Sequence, residues 1–151
     1  MTRFPFDRTA HDNYPFLAPV LARYADVDPL WHINNVAVAQ YFEETRIAML
    51  RAILGFERVA TPAGRLVLAR QSIDYLREGS YPGVFEAGAA IGKVGRTSVT
   101  VMLGLFQDDA CIALSDAVLV WLDEHGPRPW TDDERIALED PVWRLQAAVS
   151  P

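Results

Sequence analysis

The chain has one cysteine, Cys111, so no disulfide can form within it. A lone thiol agrees with a reducing cytoplasm, which is the expected location. No run of about 18 apolar residues is present, the least that a membrane span needs, so no membrane partner is expected. The opening residues, MTRFPFDRTAHDNYPF, hold no apolar block of the signal-peptide kind. Positive charge is scarce: 14 Lys and Arg stand against 20 Asp and Glu, for a net charge of −6. That balance argues against nucleic acid as a partner, although a local patch of Arg and Lys can still meet an anionic ligand. Internal repeats and low-complexity stretches are missing too.

What is there suits one packed domain spanning 1–151. Half of the residues are apolar and 11% are aromatic, which excludes disorder over most of the length, and 151 residues suffice for one core. Residues 1–15 mix prolines, charges and aromatics and read as an arm ordered by docking. Residues 17–25 read as a first strand, with Pro19 tolerable only near its start or on an edge. Residues 26–35 form a loop, and 36–54 one long helix. Asn34 or Asn35 would cap its start and Gly55 would stop it. Its apolar residues fall on more than one side, which predicts deep burial, with Glu44 and Arg51 on the wetter edge. Four strands follow, at 66–75, 83–93, 97–107 and 111–122, joined mostly by tight turns. After Gly126-Pro127-Arg128-Pro129, Thr131 and Glu134 have the spacing of a capping box and predict a short helix. Residues 141–151 read as a tail. Tight connections make antiparallel neighbours. The expected architecture is therefore α+β, with an antiparallel sheet of about five strands wrapped around one helix.

The chemistry concentrates in residues 23–46, RYADVDPLWHINNVAVAQYFEETR. Two carboxylates, Asp26 and Asp28, and an imidazole, His32, precede two amides where the chain enters the helix. A helix start offers unpaired N–H groups and a positive dipole end. A carboxylate beside it could attack a carbonyl, or activate a water that does so, while the N–H groups hold the oxyanion.

These residues resemble the signature of the 4-hydroxybenzoyl-CoA thioesterase-like branch of the hotdog-fold acyl-CoA thioesterases. That pattern, R-[YW]-x-[DE]-x-D-x-x-G-H-x-N-N, is matched by Arg23, Tyr24, Asp26, Asp28, His32, Asn34 and Asn35. An aromatic-Glu-Glu-x-Arg step follows at Phe42-Glu43-Glu44-Thr45-Arg46. Ser72 to Arg77, Gly95-Arg96-Thr97-Ser98 and Pro127-Arg128-Pro129 are similar to later parts of the family, so the likeness runs over roughly residues 17–140. One position departs: Trp31 stands where the family has a small residue before the His.

The resemblance implies a hotdog fold and an acyl-CoA substrate. It makes Asp28 the catalytic carboxylate, as nucleophile or as general base, and a backbone N–H of Asn35 or Val36 the oxyanion donor. It also implies active sites shared between subunits of a homodimer or homotetramer, and a hydroxyl, Ser98, near the acyl group. Coenzyme A enters as part of the substrate, and no metal or redox cofactor is expected. Trp31 would either turn inward and narrow the acyl tunnel, or turn outward as packing.

Each residue also has a purely structural reading. Asp28-Pro29 could only open a turn, Asp26 brace the loop, and His32 brace the backbone instead of orienting Asp28. Asn34 and Asn35 would serve as caps. Glu43 and Glu44 read as a solvated helix edge and Cys111 as a small core residue. Arg70, Arg77, Lys93 and Arg96 read as strand-edge charges, of which one or two would meet CoA phosphates. Two other functions compete: a hotdog-fold enoyl-CoA hydratase or dehydratase, faintly echoed by Asp26-x-Asp28-Pro29, and a non-catalytic acyl-CoA or acyl-carrier binding module.

Overall fold

The computed structural model describes residues 6–55, 60–61 and 64–146. The helix α1, Asn35–Leu54, begins where an amide ends the loop: the Asn34 side chain accepts from the Ala37 N–H at 2.8 Å. It stops at Gly55, whose φ of 85° suits a residue without a Cβ. Its buried positions, among them Val38, Phe42, Met49 and Leu50, fall on one wide stripe. Glu43, Glu44 and Arg51 lie opposite in solvent, and so does Val36, which the apolar reading of the helix had counted toward burial. Phe42, Met49 and Leu50 are fully buried, each contributing about 1.5–3 kcal/mol relative to exposure.

That stripe lies in the hollow of an antiparallel sheet. Its main strands are β1 (Phe16–Val20), β3 (Gly64–Tyr75), β4 (Phe85–Val94), β5 (Ser98–Gln107) and β6 (Ala110–Asp123). Two two-residue strands, β2 (Ala60–Thr61) and β7 (Gly126–Pro127), pair at its margins. The order is β1-β4-β5-β6-β3-β2, every pairing antiparallel. This is the hotdog arrangement, one long helix wrapped by about five main strands. The hollow is lined by alternate residues, Val99, Val101, Leu103 and Leu105 on β5, and by small ones, Ala87, Ala89, Ala113 and Ala117, on the flanking strands. The small side chains on β4 let the helix backbone approach that strand.

Two boundaries depart from the sequence reading. The first strand ends at Val20, not near residue 25, because residues 24–26 turn into a 3-10 helix held by the Asp26 side chain. The expected tail opens with a 3-10 turn, Pro141–Trp143, and continues through Arg144 and Leu145 onto the sheet's outer face. Residues 147–151 lie outside the described residues, as do residues 1–5 of the expected arm. The short helix α2, Asp132–Glu139, has the capping box read from Thr131 and Glu134.

The arm packs on the sheet's outer face in a second cluster of Tyr14, Ala90, Phe106, Cys111 and Leu145. Gly88 and Gly104 are opposite each other on β4 and β5. A Cβ at Gly88 would come within 2.5 Å of the Tyr14 ring, and one at Gly104 within 2.8 Å of its hydroxyl. The two glycines thus form the seat for Tyr14.

Candidate active site

The loop before α1 is held from below by Asp26. Its carboxylate, almost fully buried, accepts from the Arg23 backbone N–H at 3.0 Å, the Arg23 guanidinium at 2.9 Å and the Tyr41 hydroxyl at 2.7 Å. Burial works to raise the Asp26 carboxyl, but the bonds from Arg23 and Tyr41 outweigh it and hold the group below its ordinary value. The Asp26 carbonyl accepts both the backbone N–H and the side-chain amide of Asn34, at 2.9 and 2.8 Å. One residue therefore ties the loop to the middle of α1 and to its cap.

Above it the chain doubles back tightly. Asp28 and His32 pair through the Asp28 N–H and the His32 carbonyl at 2.9 Å. The Asp28 Oδ1 accepts from the N–H groups of Leu30 at 2.8 Å and His32 at 3.2 Å. Its Oδ2 carries no hydrogen bond among the described residues, so Asp28 both opens the turn and keeps one oxygen available. The turn passes through Trp31 at φ 65°, a conformation that L residues with large side chains rarely adopt.

His32 and Ile33 then run antiparallel to Gly79 and Ser80, with the Ile33 N–H on the Gly79 carbonyl at 2.9 Å. That pairing brings Glu78 alongside, 3.3 Å from His32 Nε2. The imidazole thus faces Glu78, while it is the His32 backbone that holds Asp28. Asn35 opens the helix. Its N–H and that of Val36 meet no acceptor among the described residues, since the cap takes Ala37 and the first helical bond takes Val38.

A cavity of about 290 Å³ joins these parts; Asp28, His32 and Asn35 line it together with Tyr75, Arg77 and Glu78. The Tyr75 hydroxyl donates to the Asn35 carbonyl at 3.3 Å. Asp28 also borders a shallower hollow with Tyr24 and Trp31. The Trp31 indole is 62% exposed and packs edge-on against Tyr24, with centroids 6.2 Å apart. It stands outside the cavity that holds His32, as does the exposed Val36 side chain.

Ser98 is not brought to Asp28 in the same chain. It begins β5, whose other end, Gln107, bonds Ser80 at 2.9 Å beside the site; about 30 Å of strand separates those ends. Of the four cations read as strand-edge charges, Arg77 alone lines this cavity. Glu78 and Tyr75 were not singled out from the sequence. Nothing local marks them, because their places depend on a bridge between segments more than forty residues apart. Among the described residues no group of three His, Cys, Asp or Glu is arranged to hold a metal, and no helix is long and apolar enough to cross a membrane.

The class these features define is a hotdog-fold domain with a carboxylate at the open start of its central helix. The chain belongs to the Thioesterase superfamily, whose family model matches residues 31–110. It is 28% identical over 130 residues to the uncharacterized protein YsmA of Bacillus subtilis (strain 168), a match covering 83% of this chain and 86% of that one. Among solved structures, it is similar to a thioesterase from Thermus thermophilus complexed with coenzyme A and Zn. The TM-score is 0.74 at 27% identity, over 84% of this chain and 93% of that one. A predicted thioesterase from Bacillus stearothermophilus aligns with TM-score 0.75 at 27% identity, over 87% and 98%.

Proposed function

We propose that the protein hydrolyses an acyl-CoA thioester at the Asp28 cavity. The observation that carries this reading is the meeting, in one cavity, of a carboxylate with an uncommitted oxygen and a helix start with uncommitted N–H groups. A thioester carbonyl placed between them is attacked by Asp28, or by a water that Asp28 deprotonates, and its oxyanion falls on the Asn35 N–H. One such donor is worth about 10²–10³ in rate. The thiolate then leaves; where Asp28 itself attacked, the acyl group remains on it as a mixed anhydride, which a water cleaves to the free acid and Asp28. His32, paired with Glu78, fixes the backbone that orients Asp28. Arg77, which lines the cavity, would meet a phosphate of the carrier in this reading. A solved relative that carries coenzyme A supports that choice of carrier.

The unit of function in this reading is a homodimer. Among the described residues β2 covers β3 only at Gly64 and Arg65, which leaves the rest of that edge without a described partner strand. In such an assembly Ser98 serves the partner's acyl group and not its own, and Trp31 and Val36 lie at the outer approach to the site, clear of the acyl chain.

The test is thiol release across a panel of acyl-CoAs. Asp28→Asn should lower kcat by about 10²-fold or more with little change in KM. Near-normal turnover would move the chemistry to another carboxylate, with Glu78 the first to examine. A change in enoyl absorbance without thiol would instead identify a hydratase, and the absence of both a binding module.

A further inference from the structure

A second cavity is larger than the one at Asp28. It lies on the opposite, outer face of the sheet and measures about 680 Å³. Its floor is apolar: Met102 on β5 and Val118 on β6, closed at the sides by Phe6 and Leu145 from the two ends of the chain. Size and lining are those of a small-molecule site.

Three cations border that floor, Arg70, Lys93 and Arg144, in a chain whose net charge is −6. The single acid there, Asp116, is already paired with Arg8 at 3.0 Å. Arg144 is fixed by donating to the carbonyls of Ile91 and Gly92.

Two of the cations arrive through irregularities in the strands. Leu68 pairs with Leu119, and Arg70 with Val118. Two steps on β3 thus match one on β6, so Ala69 is an extra residue. Leu119 faces the helix and Val118 the outer side. The bulge therefore turns Arg70 from the core face to the cavity. On β4, Ile91 pairs with Val101 and Val94 with Val99, leaving Gly92 and Lys93 both opposite Thr100. Regular strands would leave an ordinary alternation here; two bulges instead deliver cations to one apolar hollow. Gly92 adds no side chain to that hollow, and a Cβ there would meet the Thr100 carbonyl at 3.3 Å.

We propose that this outer cavity binds a long-chain monocarboxylate of the fatty-acid class, its chain on Met102 and Val118 and its carboxylate toward Arg70 and Lys93. The site is independent of Asp28. The experiment is calorimetric titration of the full-length protein with dodecanoate, with dodecanol, dodecylamine and free CoA as comparisons. Dodecanoate should bind wild type and Asp28→Asn alike. Met102→Trp, which fills the floor, should abolish binding while the melting curve stays cooperative; Val118→Phe replaces it should that variant fail to fold. Arg70→Gln and Lys93→Gln should each weaken binding by roughly two- to fivefold, as expected for partly exposed charge pairs. The proposal is overturned if dodecanoate does not bind, if binding survives both floor-filling variants, if dodecanol or dodecylamine binds equally well, or if free CoA competes for the site.

Discussion

Trp31 is a large residue in a backbone conformation that suits glycine. Its φ of 65° costs an L residue roughly 1–2 kcal/mol, and the edge-on contact with Tyr24 returns about 0.5–1.5 kcal/mol at most. The two nearly cancel. Trp31→Gly should therefore leave stability close to wild type, whereas Trp31→Ala, which keeps the strain and loses the ring, should fall about 1 kcal/mol below Trp31→Gly in urea titrations. Because the ring stands outside the His32 cavity, acyl-chain preference should shift little in either variant. A marked rise of kcat/KM for long chains in Trp31→Gly would mean that the ring narrows the substrate path. The sequence showed Trp31 as a departure, but not that the position demands a left-handed backbone. That demand comes from the Asp28 and His32 pairing across the turn.

Asp26 makes the complementary case. Three donors converge on its buried side chain, so Asp26→Asn loses acceptors and leaves donors unpaired. That should destabilise by about 1–3 kcal/mol, read by urea titration, and lower turnover only as far as the loop loosens. If Asp26→Asn matched Asp28→Asn in lost kcat at unchanged stability, Asp26 would be in the chemistry.

At the scale of elements, local signals and the wrapping of one helix by an antiparallel sheet were legible, and individual contacts between distant segments were not. The cap of α1, its glycine stop and the capping box of α2 are written within a few residues of each terminus, and the structure has them where the sequence put them. The 3-10 turn at residues 24–26 was missed because the Tyr41 hydroxyl grips Asp26 from the helix, a contact that no local pattern shows. Arg46 was missed as a buried group. It is 3% exposed on α1, and burial pushes its guanidinium down, with Glu43 only partly opposing. Its Nε and Nη1 have no partner among the described residues.

The arm offers a pH-dependent prediction at this scale. His11 lies between Asp12 at 2.8 Å and Glu86 at 2.6 Å, with its ring on Phe106. The bond to Asp12 raises its pKa most, with burial opposing and Glu86 adding to the rise. A folded-state pKa above the unfolded one means that stabilisation is complete below the unfolded value, about 6.5, and is lost as pH rises through the folded value. Arm docking should thus be firmest in mild acid. Protease susceptibility of residues 6–15 should increase from there toward neutral and alkaline pH, and in His11→Ala it should be high and flat. A flat wild-type profile would show that contacts other than His11, those of Tyr14 and Arg8 among them, hold the arm.

The molecule as a whole leaves a sheet edge open, and this bears on whether one chain can be a complete enzyme. Along β3, residues beyond Arg65 have β6 on one side and, among the described residues, no strand on the other, and Leu68 and Tyr75 are 43% and 47% exposed. Open edges of this length invite pairing with another strand. Ser98, a strand's length from Asp28 in its own chain, would have a catalytic use only across such a junction. The expected species in solution is therefore a dimer, at twice the chain mass of 16.9 kDa. Two copies of β3 meeting antiparallel about a twofold axis place equivalent central residues opposite one another, where like charges repel. Ala69→Lys combined with Ser72→Lys should shift the light-scattering mass at micromolar concentration toward the monomer and lower thioesterase turnover in parallel. The melting curve should stay cooperative, since both positions are exposed. A wild-type mass equal to one chain would remove the shared site. A dimer that ignores both lysines would move the junction to another face, with the apolar rim of Leu30, Trp31 and Val36 the next to be charged.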